Sequence, residues 1–368
     1  MTNFSPEQDA ALKAVDAWLA EKPGKGENQI FRLFGYAGTG KTTLARHVAE
    51  HIDGETRFCA FTGKAALVLK ERGAPDASTI HSLIYKPLDT SEETPTFALW
   101  DEAPVRKAEL IVVDECSMVD EALAQDLLSF GVPLLVLGDP AQLPPVSGGG
   151  YFTDAEPDAM LTEVHRQAAD NPIIRLSMDV REGRRPQAGT YGQSEVVAKR
   201  ALDPERVYKA DQVLVGRNAT RRAYNARLRE TMKYDDPLPV AGDKLVCLRN
   251  KRTKGLLNGG LWRVKERKAS KNDFVTMRLT PEDAGLFDVV KVTARPECFH
   301  GGLEALDWDV RKRYEEFDYG YVLTVHKAQG SQWNDIVLFD ESYAFREARS
   351  RWLYTGVTRA AERLTLVI

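Results

Sequence analysis

The stretch Ile30-Phe31-Arg32-Leu33-Phe34-Gly35-Tyr36-Ala37-Gly38-Thr39-Gly40-Lys41-Thr42-Thr43-Leu44 decides the fold. IFRLFG (30–35) reads as a short buried strand and KTTLARHVAEHI (41–52) as a helix, and GYAGTGKT (35–42) joins them. That junction fits G-x-x-x-x-G-K-[ST] in the strand–turn–helix setting that makes the pattern meaningful. Gly35, Gly38 and Gly40, with Thr39 among them, let backbone N–H groups curl around phosphate oxygens, and the helix N-terminus adds its positive dipole end. Lys41 is placed for the β- and γ-phosphates and the Thr42 hydroxyl for Mg²⁺, with Thr43 completing the run.

A chance glycine-rich turn is the alternative, and a second motif weighs against it. Ile111-Val112-Val113-Asp114-Glu115 is an apolar strand that ends in two acids. Asp114 suits the Mg²⁺ shell and Glu115 suits polarisation of an attacking water. A phosphoryl-transfer site also needs cations for the developing charge; Arg166 (LTEVHRQ) and Arg359 (LYTGVTRA) are the candidates, although by position alone each reads as an ordinary surface arginine.

Outward from this centre the α/β rhythm continues. RFCAFTG (57–63), ELIVVDE (109–115) and PLLVLGD (133–139) are further apolar strands, each running into a polar end. QVLVGRN (212–218), YVLTVHKAQG (321–330), DIVLFDE (335–341) and LTLVI (364–368) repeat the pattern. Strands alternating with helices predict parallel sheets covered on both faces, with ligands at the carboxyl ends of the strands. Two stretches break the rhythm. Residues 86–108 are polar with Pro87, Pro95 and Pro104, and predict a β-hairpin; residues 240–300 hold LVCLRN, LWRVKER, FVTMRL and VVKVTA, and predict a small antiparallel barrel.

Composition excludes several classes. The 368 residues are 43% hydrophobic and 28% charged, ordinary for a globular chain of two or three domains. A net charge of −4 argues against a wholly basic coat. Cys59, Cys116, Cys247 and Cys298 have no zinc spacing and read as reduced structural thiols of a cytoplasmic protein. No signal peptide is expected at the start, no module beyond the last strand, and no apolar run nears the ~18 residues of a membrane span.

Taken together, the motifs resemble the superfamily 1 helicases, within them the RecD/Dda-like group (superfamily 1B). FSPEQ (4–8) resembles the Q motif, GYAGTGKT motif I, AFTGKAA (60–66) and STIHSLI (78–84) motifs Ia and Ib, and DECSMVD (114–120) motif II. GDPAQLPPV (138–146) resembles motif III, LTEVHRQ (161–167) motif IV, LTVHKAQGSQWNDIVL (323–338) motif V and LYTGVTRA (353–360) motif VI. The resemblance implies two RecA-like domains, at 1–153 and at 154–239 plus 313–368, with an SH3-like insertion at 240–312 and ATP in the cleft between the two. Gln8 would contact adenine, Gln142 would sense the γ-phosphate, and Arg166 and Arg359 would reach the ATP from the second domain. Thr62, Lys64, His81, Thr324, His326 and Lys327 fall on the motifs that carry single-stranded DNA, although Thr62 equally suits a helix cap.

In this group a hairpin pin precedes motif II and splits the duplex. Residues 86–108 fill that slot, with Phe97 and Trp100 as wedges or, alternatively, as aromatics of a plain surface hairpin. From Lys244 to Lys271 ten Lys and Arg face one acid, Glu266, which fits either a phosphate-binding face or a solvated strand face. The size resembles a stand-alone phage or small bacterial helicase. The expected activity is ATP- and Mg²⁺-dependent 5′→3′ movement on single-stranded DNA with unwinding at single/double-strand junctions. A monomer is expected, with replication or single-strand-binding proteins as partners and no membrane. A translocase that displaces proteins with little unwinding and a small-molecule P-loop kinase are the other readings.

Overall fold

The computed structural model describes residues 4–24, 26–89, 96–144, 150–163, 171–268, 273–282 and 289–368. The chain forms two compact units, one of residues 1–86, 99–202 and 329–368, the other of 87–98 and 203–328.

The first unit is built on a six-stranded parallel sheet of β1 (Ile30–Gly35), β2 (Thr56–Ala60), β3 (Ser78–Thr79), β6 (Leu110–Asp114), β7 (Leu134–Gly138) and β8 (Ala159–Leu161), in the order β3-β2-β6-β7-β1-β8. The intervening β4 (Tyr85–Asp89) and β5 (Thr96–Leu99) pair with each other as the hairpin expected from the proline-rich stretch. The central strands are apolar at nearly every position because both faces are covered, and alternation divides their side chains between two cores. Leu110, Val112, Leu135 and Leu137 pack with Ala11, Val15 and Trp18 of α1 (Pro6–Ala20) and Leu44, Ala45 and Val48 of α2 (Lys41–Glu50). Ile111, Val113, Leu134 and Val136 face the opposite way. They meet Ile80 and Ile84 of α4 (Ile80–Ile84) and Leu123, Ala124 and Leu127 of α5 (Glu121–Leu128), while α3 (Gly63–Glu71) follows β2. A leucine buried in either layer contributes about 1.5–3 kcal/mol, and truncating one to Ala costs about 2–5 kcal/mol.

The same unit contains a second parallel set. β10 (Ser194–Val197) and β18 (Trp333–Phe339) flank β19 (Ala360–Val367) in parallel, and β9 (Gly189–Tyr191) pairs antiparallel with β10. Helices α6 (Pro172–Arg181) and α8 (Arg349–Val357) belong to it. β8, β9 and β10 went unread in the sequence because each is short, at three, three and four residues.

In the second unit β11 (Gln212–Val215) pairs in parallel with β17 (Val322–Thr324). Asn225 of α7 (Asn218–Thr231) clamps β17 by donating to the Val322 carbonyl at 3.1 Å and accepting from the Val322 N–H at 3.0 Å. The predicted antiparallel module is a five-stranded sheet of β12 (Lys244–Cys247), β13 (Leu261–Arg267), β14 (Val275–Pro281), β15 (Val290–Ala294) and β16 (Phe317–Tyr319), ordered β15-β14-β13-β12-β16. Its last strand lies beyond residue 312, the end expected from sequence.

Candidate nucleotide and nucleic-acid sites

The polar residues of the motifs sit at the carboxyl ends of β1, β6 and β7, where a parallel sheet leaves backbone groups unpaired. They surround a cavity of about 820 Å³ in the first unit, lined by Gly38, Gly40, Lys41, Thr42, Thr43, Asp114, Glu115, Gln142 and Arg359 among others. The loop's shape depends on its glycines. Gly40 has φ +86°, and a Cβ there would stand 2.7 Å from the Gln8 side-chain nitrogen.

Lys41 Nζ donates to the loop's own carbonyls, Gly35 O at 2.6 Å and Tyr36 O at 3.0 Å. The Thr42 hydroxyl donates to Asp114 Oδ2 at 3.2 Å, which brings together two hard oxygen donors suited to Mg²⁺. Burial, then the neighbouring Glu115 charge, pushes the Asp114 carboxyl above the usual carboxylate range; the Glu115 N–H, Lys41 and Arg72 pull it back. Glu115 itself adopts the left-handed conformation, φ 53° and ψ 45°, sparsely populated for a side-chain-bearing residue and typical of strained functional positions. Its carboxylate lies 3.9 Å from the Arg359 guanidinium. Arg359 is buried and held by Thr355 O at 3.1 Å and Ser331 O at 3.3 Å. Gln142 Oε1 is buried without a hydrogen-bond partner among the described residues, an acceptor kept in reserve beside the cavity.

Gln8 supports the loop. Its amide donates to Thr39 O at 3.0 Å and accepts from the Ser5 N–H at 2.9 Å, closing the capping box of α1. Gly35 and Thr39 likewise shape the turn, the Thr39 hydroxyl donating to Tyr36 O at 2.9 Å. Arg166 lies outside the described residues.

The nucleic-acid candidates fall into separate settings. Thr62 caps α3 by accepting from the Ala65 N–H at 3.1 Å, and Lys64 is buried with its ammonium 4.6 Å from the Trp333 ring centroid. His81 packs between Phe61 and Tyr85. The Thr324 hydroxyl accepts from the Lys327 N–H at 3.3 Å, and Lys327 Nζ donates to Asn258 at 3.0 Å. Burial lowers the pKa of both His326 and Lys327, so the imidazole is neutral at pH 7. Phe97 is 44% exposed, whereas Trp100 packs against the core of Ile80, Ile84 and Leu123 with the Lys86 ammonium 4.7 Å above its ring.

The basic run 244–271 looks different in three dimensions. Lys244 and Arg263 pair with Glu282, Arg249 with Glu316, Lys251 and Lys254 with Glu315, and Arg267 with Asp236. The acids are remote in sequence, so the local excess overstated the local charge.

Sequence reasoning passed over Asp139 and Tyr354, which adjoin this site. Both lay inside quoted motifs, but an aromatic in an apolar helix reads as core and an acid after a strand as a turn residue. Arg46 and Arg72, which also line the cavity, carried no signal at all.

A glycine-rich loop, a paired Thr and Asp, a strained Glu and a buried Arg around one cavity define the class as a P-loop nucleotide-binding protein. The AAA domain model matches residues 5–200, and the UvrD-like helicase C-terminal domain model matches 319–367. The chain is 31% identical over 357 residues to the ATP-dependent RecD2 DNA helicase of Deinococcus radiodurans, covering 91% of this chain and 46% of that protein. It is 35% identical over 181 residues to the ATP-dependent DNA helicase dda of phage T4, covering 45% and 41%. It thus spans less than half the length of these relatives. Among solved structures, Bacteroides Pif1 bound to single-stranded DNA aligns over 99% of this chain and 92% of that one with TM-score 0.57 and 14% identity. The Pif1 helicase of Candida albicans aligns over 100% and 94% with TM-score 0.55 and 18% identity. The fold is α/β with two RecA-like parallel sheets and added β elements. The chain belongs to the AAA-domain family, and its likeness to the RecD2 and dda helicases supports a superfamily 1B helicase.

Proposed function

We propose that this chain is an ATP-driven motor that moves 5′→3′ on single-stranded DNA and opens duplex at junctions. The observation that carries the reading is the joint placement of the Thr42–Asp114 pair and the Glu115–Arg359 pair on one cavity. Lys41, released from the Gly35 and Tyr36 carbonyls, would meet the phosphates together with the amides of Gly38, Thr39 and Gly40. Thr42 and Asp114 would hold Mg²⁺, which when bound supplies positive charge to the phosphate oxygens. Glu115 would take the proton of the attacking water, Gln142 would turn its spare acceptor toward that water, and Arg359 would stabilise the charge that develops. Arg166 is proposed as the second cation and Gln8 as the adenine contact.

The proposed division is a first RecA-like domain at 1–153 with its pin at 86–108, a second at 154–239 plus 313–368, and an SH3-like insertion at 240–312. ATP turnover would close the two RecA-like domains on each other. Thr62, Lys64, His81, Thr324, His326 and Lys327 would then serve as contacts along the strand. Because His326 is neutral at pH 7, its part would be a hydrogen bond rather than a charge. Phe97, with its exposed ring, is the favoured wedge of the pin; Trp100 is committed to packing. Buried thiols at all four cysteines suit a reducing, cytoplasmic setting, with replication, repair or recombination as the process served.

The test is ATP-driven unwinding of matched duplexes with a 5′ or a 3′ tail at one stated salt concentration. Opening of the 5′-tailed duplex alone supports the reading, and opening of the 3′-tailed one alone overturns the polarity. DNA-stimulated ATP hydrolysis without unwinding of either would select a protein-displacing translocase, the second reading, which the packing of Trp100 supports.

A further inference from the structure

A single phenolic oxygen joins three of the motifs. Tyr354, buried in α8, donates to Asp139 Oδ2 at 2.7 Å, and the same oxygen accepts from the Ala37 N–H of the P-loop at 2.9 Å. The hydrogen positions follow from chemistry, since an amide can only donate and a carboxylate can only accept. Burial and the Asp139 charge both raise the Tyr354 pKa, so the phenol keeps its proton.

Each end of this bridge leads to a group that faces the cavity. Asp139 Oδ1 accepts from the Ala141 N–H at 3.0 Å and Asp139 O from the Gln142 N–H at 3.1 Å, which fixes the turn bearing the Gln142 side chain. The next residue of α8, Thr355, accepts from the Leu143 N–H at 2.9 Å through its hydroxyl and from Arg359 Nε at 3.1 Å through its carbonyl. One turn of α8 therefore sets the backbone of the P-loop, the turn of Gln142 and the guanidinium of Arg359. Ring contacts would suffice if Tyr354 only filled space, but its hydroxyl sits among buried polar partners, each costly to leave unpaired.

We infer that Tyr354 is a positioning residue for ATP hydrolysis, whose hydroxyl holds the P-loop, Gln142 and Arg359 in one hydrolysis-competent arrangement through Asp139. The inference rests on the ATPase reading of the site. It adds that Tyr354 acts on turnover and not on nucleotide affinity, because its oxygen touches the loop at Ala37 and not the Lys41–Thr42 end.

The experiment compares wild type, Tyr354→Phe, Asp139→Asn and the double variant. Phe keeps the ring, and Asn cannot accept from both Tyr354 and Ala141. Single-stranded-DNA-stimulated kcat and KM are measured with fluorescent ADP affinity and hydrogen exchange of the 35–42 backbone. Tyr354→Phe is expected to lower kcat about 10-fold and to hold ADP affinity within about 3-fold. The double variant should be no worse than the poorer single one, as for residues that act as a unit. Exchange at Ala37 should rise in both single variants. Unchanged kcat, a loss confined to KM, or a double variant with multiplied losses would overturn the inference. If the wild type hydrolyses no ATP, the ATPase reading itself falls. Exchange then decides the bridge alone, and unchanged protection at Ala37 would overturn it.

Discussion

The nucleotide site and the β module treat their polar groups in opposite ways. Around the cavity, bonding capacity is left in reserve: Gln142 Oε1 has no partner among the described residues, Lys41 Nζ rests on loop carbonyls, and Glu115 sits in a strained backbone conformation. In the β module and the adjoining α7, several buried charges are fully paired, although Trp262 Nε1 and Arg267 Nη1 are buried without a hydrogen-bond partner among the described residues. Arg229 and Asp243 are both buried and joined by two hydrogen bonds of 3.0 Å; Tyr321 OH and the Val240 N–H also donate to Asp243, at 2.9 and 2.7 Å. Glu315 accepts from Lys251 at 2.6 Å, Lys254 at 2.8 Å and the Thr293 N–H at 2.7 Å. Spare capacity beside a cavity, as at Gln142, suits a group that awaits a ligand, and the full satisfaction of Asp243 and Glu315 suits groups that hold a fold.

The sharpest way to break this contrast is at Asp243. Asp243→Asn leaves the Arg229 guanidinium buried without its counter-charge and is expected to cost about 3–5 kcal/mol by denaturant unfolding. Pairing Arg229→Met with Asp243→Leu should recover part of that loss, because the charges are needed by each other more than by the fold. If Asp243→Asn is neutral, the network is not structural.

At the cavity the prediction reverses. Glu115→Gln should cut ATP turnover about 10²–10³-fold, the range for removing a general base, with stability changed by less than about 1 kcal/mol. Relief of the Glu115–Asp114 repulsion acts in favour of the fold, since that repulsion is among the causes raising the Asp114 pKa. Turnover near wild type would remove Glu115 from its role.

These two regions also differ in how far the sequence spoke for them. The P-loop, Asp114 and Glu115 were legible because phosphate chemistry demands fixed residue types at fixed local spacing; Gln142 and Arg359 carry no such local signal and were singled out only through the resemblance to the helicase motifs. The apolar strands β1, β6 and β7 were legible from their uninterrupted runs. Tyr354 and Asp139 were not, since their bond spans 215 residues and neither residue type is diagnostic alone. The basic run 244–271 stayed open between a phosphate-binding and a solvated face for the same reason: Glu282, Glu315 and Glu316, which pair with much of it, lie outside the run.

Glu315 offers a pH-dependent test. Its burial would raise the carboxyl pKa, but Lys251, Lys254 and the Thr293 N–H outweigh burial and hold it below 4.5. A carboxyl depressed in the folded state contributes stability above its unfolded pKa and loses it as pH falls through the folded value. Glu315→Gln should therefore cost about 1–3 kcal/mol at pH 7 and flatten the decline in stability below about pH 4.5. A variant that keeps the full acid-dependent decline would show that Glu315 does not drive it.

The smallest expected effect tests whether any of the basic run is left for DNA. Lys265 and Lys268 are exposed and make no ion pair among the described residues, unlike Lys244, Lys251 and Lys254. Removing a lysine that neutralises a phosphate should lower the slope of log affinity against log salt by about 0.7 on single-stranded DNA. Removing a merely solvated lysine should leave the slope alone. Because its neighbours are spent on Glu282, Glu315 and Asp236, the face is expected to behave as solvated. The double variant Lys265→Ala, Lys268→Ala should then change the slope by less than about half of one such increment and stability by less than about 0.5 kcal/mol. A drop of one unit or more would place DNA on this face, and would mean that the module keeps charge in reserve after all, as the nucleotide site does.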